Sequence, residues 1–283
     1  MISSDNADWL ERPFEEAKIY GVIQTFNGDK SLGPDGFPMA FSKLVGGFSN
    51  LILWLCFIIF LLKVSLTKVW MQPSWLSSLK KNAASEVKDF RPISLVGVGG
   101  GVWVYKIIAK VMATQLHTVM EDIISTSQNA FVRNKQFLNP ILITNECLNS
   151  RLKTGLPRLL CKLNVEKAFD HVNWGFLMQL LEPNGFFAKW RWWIFFCLST
   201  VRFSILINGS PCRFFGSYRG LRQGDPLSPL LFVLVMEAPG RMLDKAVHEG
   251  CMLGFRVGNL KGRSLVVSYL LFADDTLIFV MLI

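Results

Sequence analysis

The chain has 283 residues, 51% of them hydrophobic and 18% charged, so a substantial core is available and disorder over most of the length is excluded. Thirty Lys and Arg against 21 Asp and Glu give a net charge of +9, which favours a polyanionic partner. Three scattered histidines and six cysteines without a CxxC pair argue against a zinc site, and the polar, acidic start MISSDNADWLERPFEE carries no secretory signal, so reduced thiols inside the cell are expected.

The stretch WLERPFEEAKIYGVIQTFN predicts a polar helix, and GDKSLGPDGFP a glycine-proline loop. Leu44 to Leu62, LVGGFSNLILWLCFIIFLL, holds 19 uncharged residues between Lys43 and Lys63. By length it is a borderline transmembrane candidate, and a buried core helix is the bland alternative. A basic patch follows, SLKKNAASEVKDFRPISL. The spacing of Ile107, Ile108, Val111, Met112, Leu116 and Val119 predicts an amphipathic helix over 105–120, and Ile141, Leu142, Leu148 and Leu152 predict another over 139–153.

The second half is richer in strands. Leu159 to Val165 reads as a buried strand, and VRFSILINGSPCRFF as a hairpin turning at Asn208-Gly209. GLRQGDPLSP is a loop leading into the apolar helix LLFVLVMEA, which Pro239 is expected to interrupt. LVVSYLLFADDTLIFV predicts a second hairpin with Asp274 and Asp275 at its turn. These runs predict one antiparallel sheet joining 159–165, 201–207 and 265–280, with Asn164 close to Asp274.

Two adjacent aspartates between buried strands are costly unless a cation or donor compensates them. Alone, such a pair is best read as a solvated turn. Its company decides otherwise. DKSLGPDGFP, KDFRPISLVG, YKIIAKVMATQL, SQNAFVRNKQ, KLNVEKAFDHVNW, TVRFSILINGSP, RGLRQGDPLSPLLFVLVMEA and LLFADDTLIF occur in one order over nearly the whole chain. In wording and order they resemble the reverse transcriptase of LINE-type (non-LTR) retrotransposons, plant copies in particular.

That resemblance implies an α+β, right-hand polymerase fold: a fingers-like region over 1–158 and a palm with an antiparallel sheet over 159–283, without a thumb. It implies an RNA template, a DNA primer and dNTPs as partners, no stable protein partner and no membrane. The place of action would be nuclear or cytoplasmic. It assigns Asp274 and Asp275 as catalytic carboxylates binding two Mg²⁺ ions. It places Phe169 beneath the incoming sugar, Gln223 and Gly224 where nucleotide and template are positioned, and Arg91 near the incoming triphosphate. Asn164 occupies the place of the family's first catalytic aspartate. An amide oxygen ligates Mg²⁺ weakly and brings no charge to bridge two divalent ions, so metal binding is expected to be weakened and the copy inactive.

Other departures suggest decay. VGGGVWV intervenes between Gly97 and Tyr105, and the chain ends four residues after FADDTLIF. Under one choice of codons, the stretch from Lys68 to Lys81 read one nucleotide earlier resembles the family's strand before KDFRPIS. Residues from roughly 45 to 79 are therefore expected to be out of frame and, over 44–79, poorly integrated in the fold. Two alternatives remain: a residual nucleic-acid-binding module without catalysis, and a single-span membrane protein through 44–62.

Overall fold

The computed structural model describes residues 1–26, 78–79, 90–91, 102–132, 135–136, 138–155, 158–207, 210–257 and 265–281. The expectations for the loop at 28–38, for 44–62 and for the out-of-frame stretch up to 77 fall outside them. Among the described residues no helix is long and apolar enough to cross a membrane. The chain divides into two compact units, one formed by residue 1, 117–168 and 229–283, the other by 2–116 and 169–228.

The second unit contains α1 (Ser4–Leu10), α2 (Glu16–Thr25), the short strands β1 (Ser78–Leu79) and β2 (Phe90–Arg91), and most of α3 (Val102–Ile123). Among the later elements, α5 (Ala168–His171) is entered at Phe169 and followed by α6 (Trp174–Leu181), α7 (Ala188–Ser199) and the hairpin β4 (Arg202–Ile207)–β5 (Ser210–Gly216). Its core is aromatic: Trp190 and Trp193 are fully buried, edge-on at 5.7 Å, and Phe14 lies 5.3 Å from Trp193. Phe187 cannot cap α7 with its side chain, and Glu11 does so instead by accepting from the Trp190 amide at 2.9 Å.

The first unit is built on a three-stranded antiparallel sheet in the order β3 (Arg158–Asn164), β9 (Asp275–Met281), β8 (Tyr269–Phe272). Helix α4 (Leu138–Thr154), helix α8 (Ser228–His248) and the ribbon β6 (Phe255–Val257)–β7 (Leu265–Val267) complete it. Leu160 and Leu277 pack on a core of Cys147, Phe255, Val257, Val267, Leu270 and Phe279.

Three expectations need correction. Residues 201–207 do not join the three-stranded sheet: the short turn after β4 folds it back on β5 as a separate two-stranded hairpin. Strand β3 is not buried on both faces. It lies at the sheet edge, with Leu160 toward the core and Leu159, Leu163 and Val165 about half exposed. Helix α4 forms where a helix over 139–153 is expected, and it buries Pro140, Cys147 and Arg151 while Ile141, Leu142 and Leu152 are exposed. Pro239 lies inside α8 without ending it. The helix buries Leu230, Leu231, Val233 and Leu234 ahead of the proline, and that packing outweighs the lost backbone donor, a defect of about 3 kcal/mol.

Candidate functional site

The two aspartates arise from a tight reversal. β8 ends at Phe272 and β9 begins at Asp275, opposite each other in register, so Ala273 and Asp274 form a two-residue turn. Ala273 takes φ +52°, a left-handed conformation that disfavours a side chain and needs support from its surroundings.

That support comes from the segment SQNAFVRNKQ. The Ser127 carbonyl accepts from the Leu271 amide and the Leu271 carbonyl from the Asn129 amide, both at 2.9 Å, so 127–129 pairs along the free edge of β8. The Gln128 side chain is fully buried. Its Oε1 accepts from the Asn129 and Ala130 amides at 3.0 Å and from the Ala273 amide at 3.4 Å. Lys135 donates to the carbonyls of Ser125, Thr126 and Gln128, and Glu237 on α8 accepts from the Ser125 amide. Burial lowers the Lys135 pKa and raises that of Glu237, so both groups sit in a partly dry setting. The available signal was the polar run Ser127-Gln128-Asn129 between an apolar helix and AFV. Its partner 145 residues away in the chain could not be read from it.

Asn164 faces Asp275 in register, not Asp274. Its Nδ2 donates to Asp275 Oδ1 at 2.9 Å, and Lys162 Nζ lies 3.2 Å from the same oxygen. A carboxylate can only accept, so the amide must present its NH₂ there and turn its oxygen away. The Asn164 hydrogen bond, then the Lys162 ammonium, hold the Asp275 carboxyl below its usual range, with slight burial opposing. Asp274 contributes its carbonyl to the Val165 amide at 3.4 Å. An apolar cleft of about 450 Å³ opens beside Asp275, walled by Ile141 and Thr144 of α4 and by Phe272 and Leu277 of the sheet.

The other expected site residues lie in the other unit. The Phe169 carbonyl accepts from the Leu221 amide at 2.7 Å, which joins α5 to the loop carrying Gln223 and Gly224. Gly224 is exposed at φ +93° and Gln223 is half-buried. On either side, Arg222 and Asp225 turn inward and pair at 3.2 Å, both nearly inaccessible. Tyr105 of α3 donates to Asp225 Oδ2 at 2.5 Å and also bonds Arg222, whose guanidinium lies 4.2 Å above the Tyr105 ring. Arg222 further donates to the Cys197 carbonyl at 2.9 Å. Neither Tyr105 nor this ion pair was singled out from sequence, although two opposite charges three apart around Gln-Gly were visible. Arg91 lies in β2, and its side chain is outside the described residues.

A protein-family model described as "Reverse transcriptase (RNA-dependent DNA polymerase)" matches residues 79–281. The chain belongs to the reverse transcriptase family. It is 28% identical over 158 residues to the Transposon TX1 protein of Xenopus laevis, covering 56% of this chain and 12% of that one. It is 46% identical over 71 residues to an uncharacterized mitochondrial protein of Arabidopsis thaliana, covering 25% of this chain and 56% of that one. Over 188 residues it is 29% identical to the Retrovirus-related Pol polyprotein from type-1 retrotransposable element R2 of Nasonia vitripennis, covering 66% of this chain and 16% of that one. The chain thus spans less than two thirds of each of these relatives. It is a reverse transcriptase domain of the LINE type.

Reverse transcriptases as a family use divalent metals. Among the described residues of this domain, no three Asp, Glu, His or Cys side chains converge to hold a metal ion. Asp275 already faces an ammonium and an amide hydrogen, and the amide lone pair points elsewhere. This donor set does not fit a pair of divalent cations.

Proposed function

We propose that the chain is the polymerase region of a non-LTR retrotransposon Pol protein, a right hand with fingers over 1–158 and palm over 159–283, that has lost nucleotidyl transfer. Asp274 and Asp275 are the remaining catalytic carboxylates, and Phe169, Gln223, Gly224 and Arg91 are the nucleotide-side residues. RNA template, DNA primer and dNTPs are the ligands of the intact family. The observation that carries the loss is the Asn164–Asp275 hydrogen bond with Lys162 beside it. Where polymerisation needs converging negative charge, this chain holds one carboxylate neutralised by its own side chains. Removing one preorganised electrostatic group commonly costs about 10²–10³ in rate, and a bridging carboxylate at least that. Primer extension on an RNA template with Mg²⁺ and dNTPs tests the reading. No incorporation is expected from the unmodified chain, and sustained extension would refute the loss.

A further inference from the structure

Between Glu182 and Asp225 the sequence has no acidic residue and six cations: Lys189, Arg191, Arg202, Arg213, Arg219 and Arg222. Three of them are used internally. Lys189 donates to the Glu11 carbonyl, Arg191 pairs with Glu182 at 3.0 Å, and Arg222 is buried against Asp225. Arg202, Arg213 and Arg219 form no ion pair among the described residues. All three lie on or just beyond the β4–β5 hairpin.

The same hairpin displays aromatic rings. Phe203 and Phe215 are paired across the strands and stack at 6.0 Å and 28°, with Phe215 half exposed. Arg213 precedes Phe215 by two residues and is exposed, so strand alternation puts it on the same face. Tyr218 is 79% exposed, and the Arg219 guanidinium lies 5.7 Å from its ring centre. Phe215 and Tyr218 are at most about 11 Å apart by chain reach, within the span of neighbouring bases of one strand.

The end of the hairpin is held firmly. Asn173 and Arg219 form an antiparallel bridge, the Gly220 amide donates to the Val172 carbonyl at 2.7 Å, and Trp174 Nε1 donates to the Gly220 carbonyl at 2.7 Å. Gly220 has φ +88°, and a Cβ there would stand 3.0 Å from the Asp170 carbonyl oxygen, so the segment and α5 meet backbone to backbone. An exposed tyrosine on a fixed segment with unpaired arginines near it in the chain is well suited to planar, anionic ligands.

We infer that the Phe215–Tyr218 face of the β4–β5 hairpin, with Arg213 and Arg219, is a docking surface for single-stranded nucleic acid. Bases stack on Tyr218 and Phe215, and the arginines neutralise the flanking phosphates. The surface asks nothing of Asn164, Asp274 or Asp275, so it works whether or not the domain polymerises. Because every base has a π-face, recognition is tolerant of sequence.

Fluorescence anisotropy with the full chain and short labelled mixed-sequence single-stranded RNA, single-stranded DNA and blunt duplex DNA tests it. Tyr218→Ala should weaken single-strand binding about 5- to 100-fold with an unchanged salt slope, since stacking carries no counterion release. Arg213→Gln with Arg219→Gln should reduce the slope of log affinity against log salt by about 0.7 per arginine. Duplex binding should be insensitive to Tyr218→Ala. Single-strand binding unchanged in both variants would overturn the inference, as would equal losses on single strand and duplex from Tyr218→Ala. If a variant loses its circular dichroism signal, photocrosslinking of thiouridine-containing RNA to the unmodified chain replaces it. Crosslinks within 213–219 support the surface, and crosslinks confined to other segments overturn it.

Discussion

Replacing Asn164 by Asp would turn the 2.9 Å contact with Asp275 from a hydrogen bond into two facing carboxylates. The loss has two parts: a hydrogen bond to a charged group, and a new like-charge contact. Two unit charges at about 4 Å repel by about 1 kcal/mol in water and about 4 kcal/mol at an effective dielectric of 20. The side chains here are well hydrated, with Asp275 36% and Lys162 60% exposed, and Lys162 still offsets part of the charge. A net cost of about 1–2 kcal/mol follows, or a Tm lower by about 2–8 °C. Mg²⁺ should return that stability only in Asn164→Asp. A cation at about ten times its dissociation constant stabilises by about 1.4 kcal/mol. Thermal melts of both proteins with EDTA and with Mg²⁺ provide the assay. If Asn164→Asp melts no lower than the parent in EDTA, or Mg²⁺ raises both Tm values equally, the amide is not what satisfies Asp275.

Gln128→Ala should strip the acceptor from the Ala130 and Ala273 amides, costing about 2–4 kcal/mol in denaturant titrations and speeding hydrogen exchange at Ala273 above that at the β9 amides. Arg222→Met should cost about 3–5 kcal/mol, because it leaves Asp225 buried without its partner, while adding Asp225→Leu should recover much of the loss. The Asp275 carboxyl is depressed in the folded chain, so its hydrogen bond and ion pair stabilise at neutral pH. That contribution should fade as pH falls through and below about pH 4, the ordinary carboxylate range. Stability measured from pH 6 downward should therefore decline less steeply in Asn164→Ala with Lys162→Met than in the parent.

The hairpin carrying Asp274 and Asp275 was legible in the sequence because β-rich runs flank FADD on both sides, and KLN ends the strand expected over 159–165. Both features are local, and the structure pairs β3, β9 and β8 accordingly. The closeness of Asn164 to Asp274 was legible too: Asn164 pairs with Asp275, the next residue, and the Val165 amide donates to the Asp274 carbonyl, while the exact register is set by the Ala273-Asp274 turn. Helix α4 was legible over 139–153, but which of its residues are buried was not. Apolar periodicity shows that a helix has a face, but not which neighbour covers it, and here Cys147 and Arg151 meet the sheet core while Ile141 borders an open cleft and Leu142 is exposed. The Gln128 brace and the Tyr105–Arg222–Asp225 cluster depend on contacts more than a hundred residues apart, which no local pattern encodes.

The proposal at stake is that Asp275 is a metal-binding position of the family which this reverse transcriptase domain satisfies with its own side chains. Anomalous diffraction from crystals of the unmodified chain soaked in Mn²⁺ tests it most directly. The expected map has no manganese peak between residues 164 and 275, with Asn164 Nδ2 and Lys162 Nζ on the Asp275 carboxylate. A manganese ion bridging Asp274, Asp275 and the Asn164 oxygen, with Lys162 displaced, would contradict it.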